Sequence, residues 1–336
     1  MNRPSDLLPA SVAIDAVFTS NMLKEILSES LLDPLADFFR RPGKNIRSQL
    51  VELGYRLAGA EGPRGPEAVV LALLRQGGQI VELIHGGSLI VDDIQDGSEV
   101  RRNGPSLHVA HGVPVALNAG NWLYFWALTQ IRTLNLSRMA RRDLTEDIIA
   151  LMMKAHAGQA LDIGTRIDLM RRDDVFEAAL AAMELKTGTL LSLALRIGAG
   201  VRGTGQNREA LELLGPQLGV LLQMYDDLGN LLRPSPKQYE DLLCRRPTWV
   251  WAVASTLGAR AFDEFKDCVQ ELPDDRALEA WLRRHRFGAV LRTQTQLYRD
   301  LLEVSWNDEW KRTHPEALRM LLELTRTLEL AYVPTP

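Results

Sequence analysis

Val81-Glu82-Leu83-Ile84-His85-Gly86-Gly87-Ser88-Leu89-Ile90-Val91-Asp92-Asp93-Ile94-Gln95-Asp96 is an apolar run that ends in three carboxylates. Read as a helix, it places Asp92 and Asp96 four residues apart on one face. Gly97 supplies a stop, so the acids fall at the helix C-terminus. The macrodipole is negative there, which makes this the disfavoured end for anions. Acids gathered at that end point to a bound cation. Mg2+ suits the position, because it takes carboxylate oxygens and leaves other positions for phosphate. The plainer alternative is a solvated helix end that happens to be acidic.

Residues 211–232 repeat the theme. Gly219 to Tyr225 is apolar and runs into Asp226-Asp227-Leu228-Gly229-Asn230, with polar groups again at i, i+1 and i+4. Pro234 and Pro236 close the segment. Basic residues follow both acid clusters: Arg101 and Arg102 after the first, Lys237, Arg245 and Arg246 after the second. Guanidinium groups match phosphate oxygens in a two-pronged geometry. Alternatively, the first arginine pair neutralises Asp96 and Glu99 locally.

Between and around these clusters the apolar spacing is helical nearly throughout, which predicts an all-α chain built as a single domain over residues 1–336. Leu23, Ile26, Leu27, Leu31 and Leu35 follow helical spacing, with Pro34 read as a break. Arg40 to Arg47 forms a basic, glycine-containing loop ahead of a helix from about Ser48 to Ala60, an arrangement able to hold an anion. Further helices are expected at 67–75, through the central run, and at 118–133, 146–161, 175–195 and 211–232. The 118–133 helix carries Trp122, Tyr124, Phe125 and Trp126, either as core or as the wall of a hydrophobic cavity. Lys186-Thr187 lies among alanines and leucines, so its ammonium must reach solvent or an anion. Trp281, Trp306 and Trp310 are expected to pack helices near the C-terminus.

The totals narrow the function. With 336 residues and 46% hydrophobic content a large core is possible, and a net charge of -4 argues against a general nucleic-acid surface. Cys244 and Cys268 are too few for a disulfide framework or a zinc cluster. The start lacks a signal-peptide pattern, and no uninterrupted apolar run reaches the ~18 residues of a membrane span. The expectation is a cytoplasmic protein without a transmembrane segment.

Two acidic helix ends, each followed by arginines and led into by apolar helix, describe a diphosphate held by Mg2+ at the mouth of an oily cavity. The chain here resembles the trans-isoprenyl diphosphate synthases of the polyprenyl synthetase family. Gly43, Lys44 and Arg47 match that family's GKxxR, and His85 its histidine before the first motif. Asp92, Asp93 and Asp96 match the first aspartate-rich motif; Arg101 and Arg102 match the arginine pair, with Gly104, Pro105 and His108 after it. Gln159 and Asp162, Lys186 and Thr187, and Gln223 match later positions.

The resemblance implies an isoprenoid synthase fold, a homodimer, and head-to-tail condensation of isopentenyl diphosphate with an allylic diphosphate, helped by about three Mg2+ ions. It assigns Asp92, Asp96 and Asp226 to metal and Asp92, Asp93, Asp96, Arg101, Lys186 and Asp226 to catalysis. Lys44, Arg47, His85, Arg101, Arg102, Lys186, Thr187, Gln223 and Arg246 would bind substrate. The position five before the first aspartate, here Gly87, implies an open cavity floor and a product longer than farnesyl diphosphate, with C20 geranylgeranyl diphosphate expected. Trp122, Phe125 and Trp126 are candidates for a deeper floor. The second motif departs from the family by ending in Asn230, and Arg246 stands where lysine is usual. These changes leave a terpene cyclase, or a prenyltransferase to a non-isoprenoid acceptor, as the alternative on the same fold. A non-catalytic partner subunit is disfavoured by the three aspartates of the first motif.

Overall fold

The computed structural model describes residues 20–41, 46–59, 66–203, 207–234 and 238–333, and these are helical apart from one short hairpin. In chain order the helices are α1 (Asn21–Leu27), α2 (Asp33–Arg40), α3 (Ile46–Leu57), α4 (Glu67–Asp96), α5 (Leu107–His111), α6 (Val113–Ile131), α7 (Arg138–Gly164), α8 (Arg172–Met183), α9 (Thr189–Arg202), α10 (Arg208–Leu232), α11 (Glu240–Leu243), α12 (Trp249–Ser255), α13 (Ala259–Gln270), α14 (Arg276–Arg284), α15 (Phe287–Trp310) and α16 (Pro315–Tyr332). Strands β1 (Val100–Arg101) and β2 (Gly104–Pro105) pair antiparallel after α4. The chain forms two compact units, one from residues 1–51 and 63–145, the other from 52–62 and 146–336.

The first unit is built on α4 against α6. α4 is one helix of 30 residues, joining the 67–75 helix and the central run that the sequence reading kept apart. Gly78 serves close packing: a Cβ there would lie 2.8 Å from Ser48 Oγ. Gly87 and Gly120 serve the same end where α4 meets α6, since a Cβ on Gly87 would lie 2.7 Å from the Gly120 carbonyl oxygen. The helix stops where the sequence says it should. Gly97 adopts φ 66°, and its N–H bonds the Asp93 carbonyl. α6 buries Ala116, Ala119, Gly120, Leu123, Ala127 and Ile131, of which the alanines and the glycine admit a close neighbour. α6 also exposes Val113, Leu117 and Phe125. Pro34 does not break the first helical run. A π turn, Ser28–Leu32, precedes it and Pro34 sits in the first turn of α2, where its missing N–H costs nothing.

The second unit packs α10 against α9, α12, α15 and α16. α12 is buried along its whole length. Around it Trp251, Phe262, Phe265, Trp281 and Phe287 form an aromatic core, with ring centroids 4.8 Å apart for Trp251–Phe265 and 4.9 Å for Phe265–Trp281. Trp281, Trp306 and Trp310 are buried, as their spacing predicts. Residues 172–202 are long and apolar enough to cross a bilayer by length and composition, yet 56% of the 18-residue window that meets this test is buried within the protein, as in a core helix. A π turn, Glu184–Gly188, interrupts the run and carries Lys186 and Thr187.

Candidate active site

Each unit presents an acidic helix end with basic partners. In the first, Asp92 and Asp96 lie half-buried on one face at the end of α4, while Asp93 is 1% exposed. Successive helical residues are turned by about 100°, so the middle acid must face inward when its neighbours face out. Arg101, on β1, meets it there. Arg101 Nε donates to Asp93 Oδ1 at 2.8 Å and Oδ2 at 3.1 Å, and its Nη2 also bonds Oδ1. These bonds anchor the arginine hairpin on Asp93.

Arg102 donates to the Arg41 carbonyl at 3.3 Å, and its guanidinium lies 5.1 Å from the centroid of the Phe38 ring. Burial weakens its hold on the proton below the usual arginine range, with Glu82 opposing. Arg47 donates through Nη1 to Glu82 Oε1 at 3.1 Å and through Nη2 to His85 Nε2. Burial first, then the charges of Arg47, Arg102 and Arg101, hold the His85 imidazole well below its ordinary pKa. His85 is thus neutral at pH 7, with Nε2 accepting from Arg47. Its Nδ1 is buried without a hydrogen-bond partner. Lys44, the remaining member of this basic set, lies outside the described residues.

The chain-length candidates on α4 and α6 divide. Gly87 faces the α6 backbone and the Tyr124 ring, whose Cε1 would lie 3.1 Å from an added Cβ. Its missing side chain is explained by helix packing. Phe125 is 69% exposed, on the side of α6 away from its packed face. Trp122 and Trp126 stack on each other, centroids 5.2 Å apart and planes 11° from parallel, as their shared face predicts. Tyr124, which sequence reasoning left unassigned, is half-buried, and burial together with the Asp92 charge pushes its phenol up to about 12.

In the second unit the same inward turn recurs. Asp226 is half-buried, whereas Asp227 is 2% exposed. Asp227 accepts from the Trp249 N–H at 2.6 Å and from Gln223 Nε2 at 2.8 Å. Gln223 Oε1 in turn accepts from the Thr187 hydroxyl at 2.9 Å. This relay fixes the Gln223 amide and ties the π turn to α10 and α12. Burial raises the Asp227 carboxyl well above its usual range. Lys186 does not run to open solvent: its Nζ donates to Asp162 Oδ2 at 2.8 Å. Arg246 Nη1 donates to the Asp162 carbonyl oxygen at 2.9 Å. Asn230 Nδ2 lies 3.5 Å from Asp226 Oδ2 and 3.4 Å from Asp241 Oδ2, between two carboxylates.

Asp241, 11 residues after Asn230, completes this cluster. Burial, then the charges of Asp226 and Asp162, push its carboxyl up to about 7, against the pull of Asn230. The cluster is short of positive charge, which is the condition a divalent cation relieves. Among the described residues no three His, Cys, Asp or Glu side chains form a ready-made metal cage. Mg2+ does not need one, since it binds through one or two carboxylates and completes its shell with phosphate and water. The donor sets at both helix ends fit it.

An all-α chain with a half-exposed i, i+4 polar pair and an inward second aspartate at each of two helix ends has the architecture of isoprenoid synthases. The fold agrees: a geranylgeranyl pyrophosphate synthase structure from Lactobacillus brevis superposes with a TM-score of 0.73 at 21% identity, covering 98% of this chain and 96% of that one. The polyprenyl synthetase family model matches residues 28–281, and the chain belongs to that family of trans-isoprenyl diphosphate synthases. Among curated relatives, geranylgeranyl pyrophosphate synthase 2 of Zymoseptoria tritici is 29% identical over 322 residues, 92% of this chain and 90% of the relative. The geranylgeranyl pyrophosphate synthase of Eremothecium gossypii is 34% identical over 206 residues, 60% of this chain and 61% of the relative.

Proposed function

We propose that the chain is a Mg2+-dependent synthase that joins isopentenyl diphosphate to an allylic diphosphate and releases geranylgeranyl diphosphate. The observation that carries this reading is the intact acceptor set of the first unit: Arg47, bonded to both Glu82 and a neutral His85, beside Arg102. Together with Lys44 these groups would hold the diphosphate of the acceptor. A cyclase has no acceptor diphosphate to hold.

On the donor side Asp92 and Asp96, and Asp226 with Asp241, are the proposed Mg2+ ligands. Bound Mg2+ would supply positive charge for the diphosphate that leaves the allylic carbon. Lys186, oriented by Asp162, adds a fixed ammonium, and Arg246 a guanidinium, against the same group. Gln223 and Thr187 are held by their hydrogen-bond relay, so they meet substrate already oriented. Holding the two carbons in line supplies much of the acceleration. Exposed Val113, Leu117 and Phe125 on α6 support a homodimer contact at that helix, which light scattering of the purified chain would test.

The deciding experiment incubates the purified chain with isopentenyl diphosphate, farnesyl diphosphate and MgCl2 and sizes the product. Geranylgeranyl diphosphate is expected. Release of a hydrocarbon from geranylgeranyl diphosphate supplied alone would overturn the synthase reading in favour of a cyclase.

A further inference from the structure

The basic stretch before α3 contains an arginine that the reading above leaves without a task. Arg41 follows the last residue of α2 and reaches across to the β1–β2 hairpin. Its Nη1 donates to the Pro105 carbonyl at 2.6 Å and to the Arg101 carbonyl at 3.2 Å, while Nη2 donates to Asp37 Oδ2 at 2.8 Å. The connection is reciprocal, because Arg102 donates to the Arg41 carbonyl at 3.3 Å. Gly104 leaves room for the guanidinium: a Cβ there would lie 2.8 Å from both Cζ and Nη1 of Arg41.

The hairpin needs holding. Its two-residue loop is Arg102-Asn103, with φ of 51° and 61°. Positive φ at both loop residues is the type I′ requirement, which asparagine tolerates and arginine resists. Such a conformation persists only when its surroundings impose it. A two-stranded ladder of two residues a side does not impose it alone. Arg101, fixed on Asp93, and Arg41, gripping both strands, do.

We infer that Arg41 is a positioning residue: its guanidinium, anchored through Nη2 on Asp37, clamps the two strands of the hairpin through Nη1 and so sets where Arg102 presents its charge. This rests on the synthase reading for its kinetic consequence, but the clamp itself is measurable without turnover. Arginine and not lysine suits this position, since its rigid plane lets Nη1 grip the hairpin while Nη2 stays fixed on Asp37, and an ammonium has only one nitrogen to offer.

The test compares wild type with Arg41→Met, Arg41→Lys, Arg102→Met and the Arg41→Met/Arg102→Met double variant, with Gly104→Ala as a variant that keeps Arg41 but displaces its guanidinium. Hydrogen exchange read by mass spectrometry on the free protein should show faster exchange at residues 99–106 in Arg41→Met, Arg41→Lys and Gly104→Ala, while the α10 peptides stay as in wild type. Steady-state kinetics should show KM for isopentenyl diphosphate raised about tenfold in each of the three, the scale of one lost charged hydrogen bond. The double variant should be no worse than Arg102→Met alone, because Arg41 acts through Arg102. Wild-type exchange at the hairpin in Arg41→Met and Gly104→Ala would overturn the clamp. Recovery of wild-type KM in Arg41→Lys, or additive effects in the double variant, would assign Arg41 a direct charge role instead and overturn positioning. A wild-type chain that never condenses the two substrates, yet whose hairpin loosens on losing Arg41, would sink the synthase reading and leave the clamp standing.

Discussion

Replacing Asp241 with asparagine should make the protein more stable at pH 8 and less responsive to Mg2+. Asp241 sits with Asp226 and Asp162 as neighbouring charges, and its carboxyl is pushed from the ordinary 3.8 up to about 7. The sign follows from proton binding. Between about pH 4 and pH 7 the folded chain keeps a proton on Asp241 that the unfolded chain has released, so stability falls as pH rises through that window. Above pH 7 the full penalty of the charged form is present. The gap between 3.8 and about 7 is worth about 4 kcal/mol at 1.36 kcal/mol per pH unit, an upper bound because neighbouring carboxylates share the titration. Asp241→Asn keeps the shape and removes the charge, so it should gain about 2–4 kcal/mol at pH 8 and almost nothing at pH 4. Urea unfolding of both proteins at pH 4, 6 and 8 measures this directly. Adding MgCl2 with inorganic diphosphate should stabilise wild type more than the variant, since the variant lacks the anion that attracts the cation. A variant no more stable than wild type at pH 8 would refute the electrostatic account of this cluster.

Gly87→Ala should lower stability by about 1–2 kcal/mol, because overpacking against α6 outweighs the better helix propensity of alanine. A wild-type melting temperature would show that α6 yields there at no cost, and a shortened product would return Gly87 to the cavity floor. Tyr124→Ala, which empties the space beside Gly87, should lengthen the product; an unchanged chain-length profile by mass spectrometry would remove Tyr124 from the floor. The acids of the first motif should separate by assay. Asp93→Ala should cost about 2–3 kcal/mol in chemical denaturation by stranding Arg101, whereas Asp92→Ala should leave stability near wild type and abolish turnover.

The helical class, the stop at Gly97 and the two acid clusters were legible because each is written in local sequence: a spacing, a left-handed cap, an i, i+4 pair. The division of labour within each cluster was also implicit, since two adjacent residues on a helix cannot share a face. Asp93 and Asp227 had to turn inward, and both found buried partners. What local sequence could not show was anything decided by a neighbour distant in the chain. The 67–75 helix and the central run read as separate until Ser48 is seen packed on Gly78 within one continuous helix. α6 is apolar on nearly every side, so periodicity could not say that Leu123 packs inward and Phe125 outward. Lys186 meets Asp162 across 24 residues, and Asn230 meets Asp241 across a loop. Asn230 illustrates the point most sharply. Read alone it is a lost metal ligand. Set between Asp226 and Asp241, its amide offsets some of the repulsion that a third carboxylate would have increased, so the departure from the family pattern is matched by a neighbour that retains the negative charge. On that account the cation affinity of the second helix end rests on Asp226 and Asp241 together, and Asn230→Asp should raise the Asp241 pKa further instead of simply adding a ligand.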